Sequence, residues 1–168
     1  MDKVIIIGCP GSGKSTFARK LSKLTGLPLY YLDMMYWNED RTTVPKETFI
    51  SALNDVLAEP LWIIDGNYIS TMEMRMEKCD TVFFLDYTTD VCISGVTERM
   101  GKPREDMPWF EVEPDKEFMS FIQNFETDQR HRIFELLSRY SYKKTIVFHT
   151  RDEAEQYLAE YNCELFGR

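Results

Sequence analysis

The segment GCPGSGKST, Gly8 to Thr16, follows directly on the β-branched run KVIII, Lys3 to Ile7, and together they leave the chain few folds to adopt. A continuous run of Val and Ile suits a strand buried on both faces, as in a parallel sheet. Beyond the glycines, Phe17, Leu21 and Leu24 recur at helical spacing. The segment fits G-x-x-x-x-G-K-[ST] in full, with Gly8, Gly13, Lys14 and Ser15 in the required places and an added Gly11. In such a loop glycines let backbone N–H groups turn toward phosphate oxygens at a helix N-terminus. Gly8, Cys9, Pro10, Gly11, Ser12, Gly13, Lys14, Ser15 and Thr16 are therefore the expected ATP-binding residues, with Lys14 on the β and γ phosphates and the Ser15 hydroxyl on Mg²⁺.

The rest of the chain keeps the alternation. LPLYYL reads as a second strand, and Pro45 opens a helix with Phe49, Leu53, Val56 and Leu57 on one face. LWIID, TVFFLD and KTIVFH supply three more buried strands. Thr150 and Glu153 have capping-box spacing before a closing helix marked by Ala154, Tyr157, Leu158 and Tyr161. Five strands alternating with helices predict an α/β fold of three layers, a five-stranded parallel sheet with helices on both faces. Met100 to Lys116 breaks the pattern: it holds Pro103, Pro108 and Pro114 and the acidic Glu105, Asp106, Glu111, Glu113 and Asp115. It reads as a surface lid. At 168 residues with 43% hydrophobic content, residues 1–168 are expected to form one domain, and a monomer.

Composition excludes several classes. A net charge of -8 repels a phosphate polymer, so direct nucleic-acid binding is not expected. Cys9, Cys79, Cys92 and Cys163 fit no metal-ligand spacing and are read as reduced thiols. No apolar run reaches the roughly 18 residues needed to span a bilayer, and the amino terminus is no secretory signal, so the expected location is the cytoplasm.

A loop of this kind needs a second carboxylate for magnesium, normally at the end of a neighbouring strand. Asp65, closing LWIID before Gly66, and Asp86, closing TVFFLD, both qualify; Asp65 is favoured. On the acceptor side Asp33 ends the second strand among Tyr30, Tyr31, Tyr36 and Trp37, where it could orient a hydroxyl and accept its proton, or serve as a loop cap. Arg75 suits an acidic acceptor or a surface ion pair, and His131 and His149 are read as structural.

GCPGSGKST, LPLYYLDMMYW, WIIDGNY, EKCDTVFFLD and RHRI together resemble the small bacterial P-loop proteins known as DNA topology modulation proteins, themselves similar to adenylate kinase and shikimate kinase. The resemblance spans Lys3 to about Tyr157. It implies a nucleoside-monophosphate-kinase-like fold with an acceptor region around residues 32–58 and a lid around 100–117. It matches Asp65 to the aspartate that adenylate kinases place near magnesium, and Arg99 to an arginine covering ATP. Arg151 is the other arginine expected on the nucleotide. Two departures stand out: no arginine follows DGNY to grip an acceptor phosphate, and Tyr31 replaces the aspartate that shikimate kinases place two residues before the acceptor aspartate. The expected activity is transfer of the ATP γ-phosphoryl group to a small acceptor, with Lys14, Asp33, Arg99 and Arg132 catalytic; the alternative is a nucleotide-gated regulatory module.

Arg132 is preferred to Arg130 on helical phase. Phe118, Phe121, Ile122, Phe125, Ile133, Leu136 and Tyr140 recur as one face of an unbroken helix, and about 100° per residue turns Arg132 inward and Arg130 aside. An inward arginine needs the γ-phosphate as partner, or a carboxylate such as Asp65 or Asp86.

Overall fold

The strands β1 (Lys3–Gly8), β2 (Leu29–Tyr31), β3 (Trp62–Asp65), β4 (Thr81–Leu85) and β5 (Lys144–Phe148) pair in parallel in the order β2-β3-β1-β4-β5. The structure, a computed structural model, describes residues 1–109, 111–113 and 115–166, the side chains of 164–166 apart; Pro114, one of the expected lid prolines, lies outside them. Val4 to Ile7 in β1 and Val82 to Phe84 in β4 are fully buried. At about 1.5–3 kcal/mol for each large apolar side chain, these central strands anchor the core.

Among the described residues eight α-helices flank the strands: α1 (Lys14–Thr25), α2 (Leu32–Tyr36), α3 (Lys46–Ala58), α4 (Ile69–Lys78), α5 (Thr89–Arg99), α6 (Lys116–Gln123), α7 (His131–Arg139) and, after the last strand, α8 (Arg151–Phe166). The chain steps one way from β1 to β2 and the other way thereafter. Right-handed crossovers therefore put α1 on one face, where it packs against α8, and α4 on the other with α3 and α7. Phe17 of α1 fixes the first face, its ring 5.0 Å from Phe83 and 5.5 Å from Phe148. The Thr150 hydroxyl accepts from the Glu153 amide at 3.2 Å, so the capping spacing seals α8 as expected.

The register sets the site. Tyr31, Asp65 and Ile6 lie level across β2, β3 and β1, and Gly8 lies level with Leu85 at the end of β4. Asp65 and the Gly8–Thr16 loop thus share the carboxyl edge, at the reversal of strand order where ligands bind in such sheets. Among the described residues no helix is long and apolar enough to cross a membrane.

One predicted element is corrected. Phe118 to Tyr140 is not an unbroken helix: α6 ends at Gln123, and one π-helical turn, Glu126–Arg130, precedes α7. A π turn advances less per residue about the axis than an α-helix, so helical phase carried from Phe118 is lost by His131. Phe121, expected on the inner face, is exposed, and so is Arg132. Arg130 turns inward instead, donating from Nε and Nη2 to the Asp86 carboxylate at 2.7 and 2.8 Å.

Candidate active site

The loop after β1 wraps as its glycines allow. Gly11 has φ 85°, and a Cβ there would sit 2.0 Å from the Cys92 carbonyl oxygen on α5, so no side chain fits between loop and helix. Gly13, at φ 93°, caps α1 with no side chain over the helix N-terminus, leaving its first amides facing the cleft. Lys14 Nζ reaches back to the Cys9 carbonyl at 3.2 Å. Asn67 pins the start of the loop: its Oδ1 accepts from the Gly8 amide at 2.9 Å and its Nδ2 donates to the Gly8 carbonyl at 2.5 Å.

One cleft of about 1440 Å³ runs along this edge, large enough for a nucleotide and an acceptor side by side. Gly11 to Thr16, Asp33, Asp65, Arg99 and Arg151 all line it; Cys9 lies under the loop and lines a smaller cavity with Asp86, Arg130 and His149. Ser12 Oγ, Asp65 Oδ1 and Arg99 Nε are buried with no hydrogen-bond partner among the described residues. Buried polar atoms left unpaired around a cleft are what a polar ligand would satisfy. Burial pushes the Asp65 carboxyl up to about 6, against the pull of Lys14 and Ser15. Asp86 has no such freedom, being held by Arg130 with His149 Nδ1 at 3.7 Å. Of the two sequence candidates, Asp65 therefore has an oxygen to offer. Ser15 and Asp65 could hold a magnesium ion and the loop amides with Lys14 the phosphates, so the residues fit MgATP.

The lid reaches the loop. Ser15 Oγ donates to Asp106 Oδ2 at 2.8 Å, and Arg104 Nη2 donates to the same oxygen at 2.6 Å. Burial works against the Asp106 charge, yet the Arg104 and Ser15 bonds bring its carboxyl down to about 2. Glu111 holds Arg104 at 3.3 Å and Arg99 Nη2 at 3.4 Å. A carboxylate thus sits at the phosphate loop, in the setting of an anion.

On the acceptor side, Asp33 lies in the first turn of α2, where its Oδ1 accepts from the Tyr68 hydroxyl at 2.7 Å. Burial raises the Asp33 pKa, partly opposed by that bond and by Lys14 and Arg104. Tyr36 packs edge-on against Trp37, Phe49 and Tyr68, and Trp37 meets Trp109 of the lid at 5.1 Å. Arg75 does not face an acceptor. It is fully buried and donates to the carbonyls of Gly66 at 2.8 Å, Tyr68 at 3.1 Å and Asn67. Burial lowers its pKa to about 9. It clamps the loop carrying Asn67 and Tyr68, and so acts on both ends of the cleft.

Sequence reasoning missed Asn67, Tyr68, Arg104, Asp106, Trp109 and Glu111. Asn67 and Tyr68 stand in DGNY and were open to notice; the lid residues depend on how an irregular segment folds back.

No protein-family model and no curated protein matches the chain, so the resemblance to the topology modulation proteins stands on its quoted residues. Solved structures do match. Shikimate kinase from Acinetobacter baumannii, in complex with shikimate, aligns at a TM-score of 0.63 and 15% identity, covering 99% of this chain and 96% of that one. Shikimate kinase from Bacteroides thetaiotaomicron aligns at 0.56 and 18%, covering 98% of each. The chain has a P-loop kinase fold. At these identities the P-loop kinase likeness carries the architecture, and chemistry must be argued from the cleft.

Proposed function

We propose that this chain transfers the γ-phosphoryl group of ATP to a hydroxyl of a small acceptor, with magnesium. The observation that carries the reading is the meeting, in one cleft, of an uncapped glycine loop with Lys14, the unpaired Asp65 oxygen, and Asp33. A bare nucleotide switch has no need of Asp33 and its aromatic surround.

Lys14 and the first amides of α1 neutralise the phosphate oxygens, and Arg99 at the end of α5 and Arg104 of the lid complete that shell. Ser15 and Asp65 would hold magnesium, which would supply charge neutralisation to the transferring phosphate. Asp33 orients the acceptor hydroxyl and takes its proton. The acceptor oxygen forms a bond to the γ phosphorus as the bond from that phosphorus to the β–γ bridging oxygen breaks, and ADP leaves with the electron pair. The raised pKa of Asp33 makes it a better base than an exposed carboxylate. Arg132 is exposed and takes no part. Before MgATP occupies the loop, Asp106 must leave Ser15, so nucleotide binding and lid movement are one event.

The test is transfer of γ-labelled phosphate from ATP to panels of nucleosides, nucleotides, sugars and hydroxy acids. Acceptor-dependent labelling supports the reading; ATP bound tightly with label passing to no acceptor refutes it.

A further inference from the structure

We propose that the acceptor is an uncharged ring alcohol, of the nucleoside or sugar kind, and not a phosphate monoester or a carboxylate. The inference rests on the phosphotransfer reading and adds the acceptor class to it. An anionic acceptor beside the ATP phosphates needs a cation of its own, and among the described residues the cleft has committed its inner cations elsewhere. Arg104, with a side chain only 10% exposed, is taken by Asp106 and Glu111. Arg99 is held at Nη2 by Glu111 and its unpaired Nε is assigned to the ATP phosphates, and Arg19 lies 4.0 Å from Glu105. Arg75 is spent on backbone carbonyls under the DGNY loop. Lys14 belongs to the phosphate loop and Arg151 pairs with Glu98 on the nucleotide side. Arg41 and Lys102, which also line the cleft, are exposed at its rim, where an ion pair is weak.

What remains at the acceptor end is Asp33, an acceptor of hydrogen bonds that repels an anion, among ring faces. Trp37 from the acceptor region meets Trp109 of the lid edge to face at 5.1 Å, both rings line the same cleft, and the Tyr68 hydroxyl donates to Asp33 at 2.7 Å. Aromatic walls with one carboxylate suit a flat or ring-bearing molecule that offers hydroxyl groups. The phosphoryl step balances as above: the ring hydroxyl loses its proton to Asp33 and gains the γ-phosphoryl group, and ADP departs.

The experiment uses matched pairs with MgATP: nucleosides against their 5′-monophosphates, and sugars against the corresponding sugar acids. The uncharged member is expected to be preferred by roughly 100-fold in kcat/KM. Glu111→Gln, which releases Arg99 Nη2 and leaves Arg104 only its Asp106 carboxylate, should cut that preference by roughly tenfold. Preference for the anionic member in the unmodified chain overturns the proposal. Where no pair is phosphorylated, the same pairs are titrated with a non-hydrolysable ATP analogue present, read by tryptophan fluorescence. Tighter binding of the uncharged member supports the proposal; tighter binding of the anion, or of neither, overturns it. Calorimetry with MgATP tests the parent reading separately, since ATP binding with an anionic preference sinks only the acceptor class.

Discussion

Removing the charge of Asp65 should stabilise the ligand-free chain. Its carboxyl is 5% exposed and lifted from an ordinary 3.8 to about 6, so folding with the charge present carries a penalty. At about 1.4 kcal/mol per pH unit the interval is worth about 3 kcal/mol. The sign follows from proton binding: the folded state holds this proton more tightly than the unfolded one, so the penalty is absent below about pH 3.8 and complete above about 6. Asp65→Asn, which mimics the protonated shape, should therefore be more stable at pH 8 by about 3 kcal/mol. For a chain of this size that is a rise in Tm of about 6–12 °C. At pH 5 the advantage should shrink to roughly half, because the unfolded carboxyl is still ionised while the folded one is mostly protonated. Urea unfolding in chelator at both pH values measures this. An Asn variant equal to or less stable than the parent at pH 8 would refute the reasoning, and show that the carboxylate is already satisfied without metal. The same variant should lose magnesium-dependent nucleotide affinity, as expected where a site is built at the expense of stability.

Asp33→Asn should lower kcat about 100-fold with ATP affinity unchanged, and the parent's acid limb in kcat/KM should fall above the ordinary carboxylate range, the base being needed ionised; steady-state kinetics across pH checks both. Arg130→Ala leaves the Asp86 carboxylate, 5% exposed, without its bidentate partner and should cost about 1–3 kcal/mol, whereas exposed Arg132→Ala should stay within about 0.5 kcal/mol; paired thermal melts decide, and the reverse order would restore the unbroken helix. Arg75→Met strips donors from carbonyls on the DGNY loop and should cost about 3 kcal/mol or more by urea unfolding, with nucleotide affinity also reduced because Asn67 loses its hold on Gly8; a neutral result would mean the loop holds its own shape.

The legible parts of the molecule were those written locally. KVIII and TVFFLD announce buried strands through β-branched and aromatic runs, and the glycine spacing announces the loop, because each depends on residues a few positions apart. Asp65 was placed on the cleft edge because strand ends in a parallel sheet share it, and Asp33, expected to end β2, reaches the same edge from the first turn of α2. Arg132 failed because the argument carried 100° per residue through a segment that takes one π turn, and nothing in ETDQR signals the change. Arg75 failed differently: on α4 alone it looks like a surface arginine, and its partners are carbonyls seven to nine residues earlier, brought over it by the left-handed Tyr68 at φ 35°. The acidic lid read as a solvated surface, yet Asp106 and Glu111 turn inward to arginines supplied by the same segment and by α5. Such pairing depends on a fold-back that composition does not encode.

Isothermal titration of ATP into the magnesium-loaded chain and its Lys14→Ala variant tests the central claim most directly. The account predicts saturable binding near one nucleotide per chain, lost on removing the ammonium, with circular dichroism showing the fold retained. Equal affinity in parent and variant, or no binding to either, would contradict it.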